Sequence, residues 1–262
     1  MPNIEKHAPG SFCWIELATT DQPAAKQFYQ QLFGWSVREA PMGPDDIYTI
    51  FQIDGRDAAA GYTQRPDERA MGVPPHWTLY VAVENADASA AKAKELGAQI
   101  FAGPFDVADH GRMAVLGDPT GGVFAIWQAK GHAGIGVDGV PGTLCWADLM
   151  TRDVERAKAF YSALFGWEIA AGEHDPSGYQ HIKNGEAFIG GVPPSVHLPA
   201  NIPPHWLIYF YVPDGDASAA KAKELGANIY MGPMSIEHVG RMATIADPQG
   251  AVFSIFTPEA KG

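Results

Sequence analysis

Two carboxylates stand inside strand-like runs rich in aromatic and aliphatic residues. Glu16 lies in Cys13-Trp14-Ile15-Glu16-Leu17, and Asp148 lies in Cys145-Trp146-Ala147-Asp148-Leu149. Strand alternation puts Glu16 on the face of Trp14 and Asp148 on the face of Trp146, and burial there costs several kcal/mol unless the acid is paired or neutral. Such a group is a candidate acid or base. His76 and His205, each in a Pro-Pro-His-Trp sequence, are its candidate partners. An imidazole at that place either works as acid, base or hydrogen-bond donor, or locks the rim turn to a backbone carbonyl. Arg112 and Arg241, each after a glycine, either hold an anionic group of a ligand or pair with an acid of the chain such as Asp118 or Asp247.

These residues come in twos because the chain is duplicated. Cys13 to Trp35 returns as Cys145 to Trp167, 132 residues on (145 − 13). The later part of each half repeats at 129, as in Pro203-Pro204-His205-Trp206, Gly240-Arg241-Met242-Ala243 and Asp247-Pro248-Gln249-Gly250. Ser11 to Ala18 alternates as a strand, with Cys13, Ile15 and Leu17 on one face and Phe12, Trp14 and Glu16 on the other. Thr20 or Asp21 caps a helix that Gly34 ends, and three short strands follow up to Tyr62. Trp77 to Val83, a helix over Asp87 to Leu96 and three more strands repeat this order. Trp77 and Trp206 fall on the core side. The count is four βαβββ units, an α+β fold in two tandem domains: residues 1–128, a Gly-rich linker at 129–142, and 143–262.

A formal charge of −12 gives no attraction for nucleic acid or an anionic membrane. No segment is long and apolar enough for a span and no signal-peptide pattern opens the chain, so a cytoplasmic location is expected. Cys13 and Cys145 hold equivalent positions and read as two small buried hydrophobes rather than one disulfide. His110 and His238 are out of register with each other. His174, His181 and His197 lack first-half counterparts and read as surface. Gly-rich phosphate loops, nucleophile elbows and Cys-x-x-Cys pairs are absent.

The strand, the helix ending Phe-Tyr-x-x-Leu-Phe-Gly-Trp and the later Asp-Pro-x-Gly turn resemble the vicinal oxygen chelate superfamily of glyoxalase I, bleomycin-resistance proteins and extradiol dioxygenases. The resemblance covers about Ser11 to Gln128 and Thr143 to Thr257. It implies mixed sheets curled into open cups with helices outside, ligands held inside, and units that pair within or between chains, a homodimer included. It also implies where a metal would be held: Trp14, Thr78, Ala125 and a position near Gly61 in the first half, and Trp146, Leu207, Ser254 and a position near Gly190 in the second. None of these is a credible set of three or four donors. No cofactor is therefore expected, with zinc, nickel, iron or manganese on relocated ligands as the alternative.

Strand parity gives the cup lining. The first cup has Trp14, Glu16, His76, Thr78, Tyr80, Ala125 and Trp127; the second has Trp146, Asp148, His205, Leu207, Tyr209, Tyr211, Ser254 and Phe256. An apolar, aromatic cavity with few polar groups suits a small planar ligand. The first expectation is a protein that binds such a molecule without metal, as the bleomycin-resistance branch does. The alternative is an enzyme of lyase, isomerase, dioxygenase or hydroxylase type working through Glu16/His76 and Asp148/His205 or a relocated metal. A third reading makes one half a remnant that only completes the cup of the other.

Overall fold

A computed structural model describes residues 3–43, 46–172 and 177–259. In the first half β1 (Phe12–Thr19), α1 (Gln22–Phe33), β2 (Ser36–Pro41), β3 (Ile47–Ile53) and β4 (Arg56–Thr63) form one βαβββ unit. After a short helix α2 (Pro66–Ala70), β5 (His76–Ala82), α3 (Ala86–Glu95), β6 (Gln99–Val107), β7 (Gly111–Gly117) and β8 (Val123–Ala129) form the next. The second half repeats the order with β9 (Leu144–Met150), α4 (Val154–Phe165), β10 (Glu168–Ala171), β11 (Gln180–Asn184) and β12 (Ala187–Val192). Its last unit is β13 (His205–Tyr211), α5 (Gly215–Glu224), β14 (Asn228–Ile236), β15 (Gly240–Ala246) and β16 (Val252–Pro258).

Each half closes on itself. Its eight strands make one mixed sheet in the order β2-β3-β4-β1-β5-β8-β7-β6, and β10-β11-β12-β9-β13-β16-β15-β14 in the second half. The first strands of consecutive units, β1 and β5, pair antiparallel at the centre with Glu16 opposite Thr78, while β4 and β8 flank them in parallel. The pairing of units that the sequence leaves open is thus between neighbours in the chain. Helix α1 forms where expected: Asp21 accepts the Ala24 N–H at 3.0 Å and Gly34 ends the helix at φ 74°. Helix α2 and a 3₁₀ turn at Ser195–His197 were not foreseen; neither buries a residue, so neither leaves a periodic signal.

One bulge changes the face reading. Between Phe12 and Trp14 the register of β1 against β5 shifts. Cys13 therefore joins Trp14 in the cup cluster and Phe12 turns to the back, edge-on to Trp206 at 5.6 Å. A one-residue slip moves a side chain across a sheet, which alternation alone does not anticipate. The equivalence of the two cysteines fails as well: Cys13 is buried and Cys145 exposed.

The two sheets place their backs together, and one continuous core includes Leu79 and Ile126 of the first half with Ile208 and Phe253 of the second. Phe33 of α1 packs on Phe210 of β13 at 4.8 Å. The Tyr29 hydroxyl accepts from the Trp77 indole and donates to Asp247 at 2.9 Å, across the halves; Tyr161 does the same between Trp206 and Asp118 at 2.8 Å. Asp118 and Asp247 also accept the N–H groups of their own turns. The acids suggested as partners of Arg112 and Arg241 are thus committed elsewhere. Arg112 instead forks onto Asp87 of α3 at 2.8 and 2.9 Å, and Arg241 onto Asp216 of α5. No helix among the described residues is long and apolar enough to cross a membrane.

Candidate functional site

In the first cup, β1 supplies Trp14 and Glu16, β5 supplies Tyr80, and β8 supplies Ala125 and Trp127. Glu16 accepts the Tyr48 hydroxyl at 2.6 Å on one oxygen and the Tyr80 hydroxyl at 2.9 Å on the other. The Trp14 indole donates to Tyr48 at 3.1 Å. Burial pushes the Glu16 carboxyl above its usual range against the pull of both phenols, and the same burial raises Tyr48 and Tyr80.

The second cup has the same device with a shorter acid. Asp148 is 5% exposed. One oxygen accepts Tyr179 at 2.5 Å and the Trp146 indole at 3.1 Å, and the other accepts Tyr209 at 2.8 Å. Burial raises Asp148 too, with Tyr179, Tyr209 and Trp146 working the other way. Leu207, Tyr209 and Met242 pack with Trp146, Val252 and Phe256, and Ser254 is bonded to Thr244 at 3.0 Å. Each cup thus holds a buried carboxyl that keeps its proton to higher pH than a free acid, with a phenol against each oxygen; the indole meets Tyr48 in the first cup and Asp148 itself in the second. A guest that displaces one phenol can exchange a hydrogen bond or a proton with that group.

Tyr48 and Tyr179 carry much of this network, and sequence reasoning missed both. They are 131 residues apart (179 − 48), out of step with the 132 spacing of the acids, because the hairpins before them differ in length. His181, read as surface, faces the second cup, with ring centres 5.1 Å from Tyr179 and 5.5 Å from Phe188. His197 is exposed, as are His110 and His238, while His174 lies outside the described residues.

His76 and His205 stand at the start of β5 and β13, with Nδ1 against the carbonyls of Pro74 at 2.8 Å and Pro203 at 2.9 Å. They are away from the acids, which have no histidine among the described residues within hydrogen-bond reach. Burial lowers His205. Thr78 is half-buried opposite Glu16, and Tyr211 pairs with Phe256 at the end of β13. Arg112 and Arg241 face the helices, outside the cups. The glycine before each has its own reason: a Cβ on Gly111 would lie 2.3 Å from the Trp127 ring, and one on Gly240 would lie 2.9 Å from Phe256.

The two cups also differ in what lies against them. Within residues 129–142, read as a linker, the stretch 132–136 lies against the first cup. The His132 ring is edge-on to Trp14 at 4.7 Å, its carbonyl accepts the Trp127 indole, and Nε2 meets Asp57 at 3.2 Å. Ile135, 4% exposed, donates its N–H to the Cys13 carbonyl at 2.7 Å, and Gly136 donates to Asp57. Gly134, at φ 116°, has room for no side chain, since a Cβ would stand 2.1 Å from the Cys13 oxygen.

The residues at the superfamily's metal positions do not fit a divalent ion. The cup-facing residues of β4 and β12 beside Glu16 and Asp148 are Ala60 and Gly191, one position from Gly61 and Gly190. They add no donor to Trp14, Thr78, Ala125, Trp146, Leu207 and Ser254. Among the described residues no three His, Cys, Asp or Glu side chains converge, and both oxygens of Glu16 are taken by phenols.

Comparison with known proteins agrees with the architecture. The family model "Glyoxalase/Bleomycin resistance protein/Dioxygenase superfamily" matches residues 11–126 and 143–255. A putative glyoxylase, CFP32, of Mycobacterium tuberculosis is 40% identical over 266 aligned residues, covering 98% of both chains. The anthracycline biosynthesis protein DnrV of Streptomyces peucetius is 33% identical, covering 96% of this chain and 94% of its own. Among solved structures, the Mn(II)-bound glyoxalase of Novosphingobium aromaticivorans superposes with a TM-score of 0.65 at 14% identity, covering 95% of this chain and 82% of its own. An extradiol ring-cleaving dioxygenase from B. fuscum gives 0.67 at 16%, covering 99% and 75%. With both halves matched and relatives above 30% identity end to end, this chain belongs to the glyoxalase/bleomycin resistance protein/dioxygenase superfamily.

Proposed function

We propose that this protein binds a small apolar or aromatic molecule in a cup of its own side chains, without a metal at the superfamily's usual position. The observation that carries this reading is the saturation of the buried acid. In each cup the buried carboxyl is held by two phenols, inside walls of tryptophan, tyrosine and aliphatic side chains, and is not free to turn to a cation. Such walls gain from covering a planar guest, and the acid network supplies one oriented polar contact. One relative is named an anthracycline biosynthesis protein, and a small-molecule guest agrees with that name.

A panel of aromatic compounds screened by thermal shift, with native mass spectrometry on the hits, tests it. A specific guest raises Tm in a concentration-dependent way, by about 2.7 kcal/mol of stability at a hundred times Kd. A panel that leaves Tm unmoved sinks the reading. The second reading, an enzyme of lyase, isomerase, dioxygenase or hydroxylase type, is favoured by the raised carboxyls of Glu16 and Asp148, suited to proton exchange with a bound substrate. Elemental analysis of protein purified without chelator separates its versions: stoichiometric zinc, nickel, iron or manganese points to relocated ligands.

A further inference from the structure

Among the described residues, the segment that covers the first cup has no counterpart on the second. His132 to Gly136 dock on Cys13, Trp14 and Asp57. By register, Cys145 and Trp146 of β9 stand where Cys13 and Trp14 stand, and Phe188 of the β11–β12 hairpin stands where Asp57 does. Those three residues line a cleft of about 360 Å³. Both first strands carry the bulge at the cysteine: Leu144 and Trp146 are paired with β13 and Cys145 is passed over, as Cys13 is passed over against β5. A bulge leaves its extra residue out of the ladder, and in the first half the freed Cys13 carbonyl takes the Ile135 N–H at 2.7 Å.

We infer that each chain takes one ligand, in the cleft at Cys145, Trp146 and Phe188, and that this ligand is an aromatic ring bearing a hydrogen-bond donor, the first cup being filled by the chain's own residues 132–136. The inference rests on the reading above that the protein binds an aromatic molecule. The chain's own segment shows what the place accepts: a ring edge-on to the tryptophan, and an N–H aimed at the bulge carbonyl. In the second half the ring's polar partner is replaced. Asp57, which holds the His132 imidazole, becomes Phe188, which sits 5.5 Å from His181 and is 55% exposed. An imidazole suits the first site; an aryl ring suits the second, a cleft walled by Phe12, Ile135, Leu144, Trp146 and Phe188, with His181 in ring contact behind Trp146 and Phe188. A hydroxyl or amide on that ring meets the Cys145 carbonyl.

The test uses the full chain with 2-naphthol and, as the ring without a donor, 2-methoxynaphthalene, in equilibrium dialysis read for stoichiometry and affinity. One equivalent of 2-naphthol is expected, with 2-methoxynaphthalene about tenfold weaker for the lost hydrogen bond. Phe188→Asp, at an exposed position that tolerates change, lowers 2-naphthol affinity by about tenfold or more, while Asp57→Asn leaves it within about twofold. Two equivalents, or one equivalent insensitive to Phe188→Asp, overturns this site and leaves aromatic binding in a cup standing. No binding of either naphthalene at millimolar concentration, together with a silent aromatic panel, overturns both.

Discussion

At the residue scale the defining feature is an acid kept in an apolar strand by phenols. Glu16 and Asp148 are each raised by burial despite two or three donors. A carboxyl whose folded pKa lies above its unfolded value binds its proton more tightly when folded, so its contribution is fully present below the unfolded pKa and is lost as pH rises through the folded one. Glu16→Gln and Asp148→Asn remove that loss. Each variant's Tm relative to the parent should therefore become more favourable as pH goes from 4 to 8, in thermal melts across that range. A flat difference would mean that folding leaves the acids' pKa unchanged, and one of opposite sign that folding lowers it. Tyr179→Phe takes one donor from Asp148 and should cost about 1–3 kcal/mol in urea unfolding, since a buried carboxyl oxygen is left without its partner.

At the scale of elements, the segment after β8 behaves as part of the first cup. Its glycine content reads as flexibility, but Gly134 is glycine because the Cys13 carbonyl leaves no space for a Cβ. Gly134→Ala should undock the segment, seen as faster hydrogen exchange at Ile135 and Gly136, whose N–H groups are otherwise bonded. Ile135→Ala should destabilise the chain by about 2–5 kcal/mol, the usual cost of emptying a buried aliphatic site, read from chemical denaturation. Unchanged exchange in Gly134→Ala would show the segment held by other means.

At the scale of the whole molecule the halves share one core. Tyr29 reaches Asp247 and Tyr161 reaches Asp118, so each half's helix closes the other half's turn. Tyr29→Phe and Tyr161→Phe should each cost about 1–3 kcal/mol, because a buried acid loses its donor. Unfolding should remain a single transition by circular dichroism and by tryptophan fluorescence. Two separate transitions would show that the shared core does not couple the halves.

Much of this was legible in the chain. Repetition, cap residues and strand alternation were enough for four βαβββ units and for the acids, tryptophans and tyrosines of the central strands, because those features depend on neighbours a few residues apart. Tertiary structure alone decided the rest. Tyr48 and Tyr179 reach the acids only through strand pairing, a single bulge sends Phe12 and Cys13 to faces opposite those of simple alternation, and the arginines find helix acids brought beside them by the fold. The filling of one cup by residues 132–136 was equally invisible. It depends on the distance between a loop and a bulge over a hundred positions away, and local sequence carries no record of such a contact.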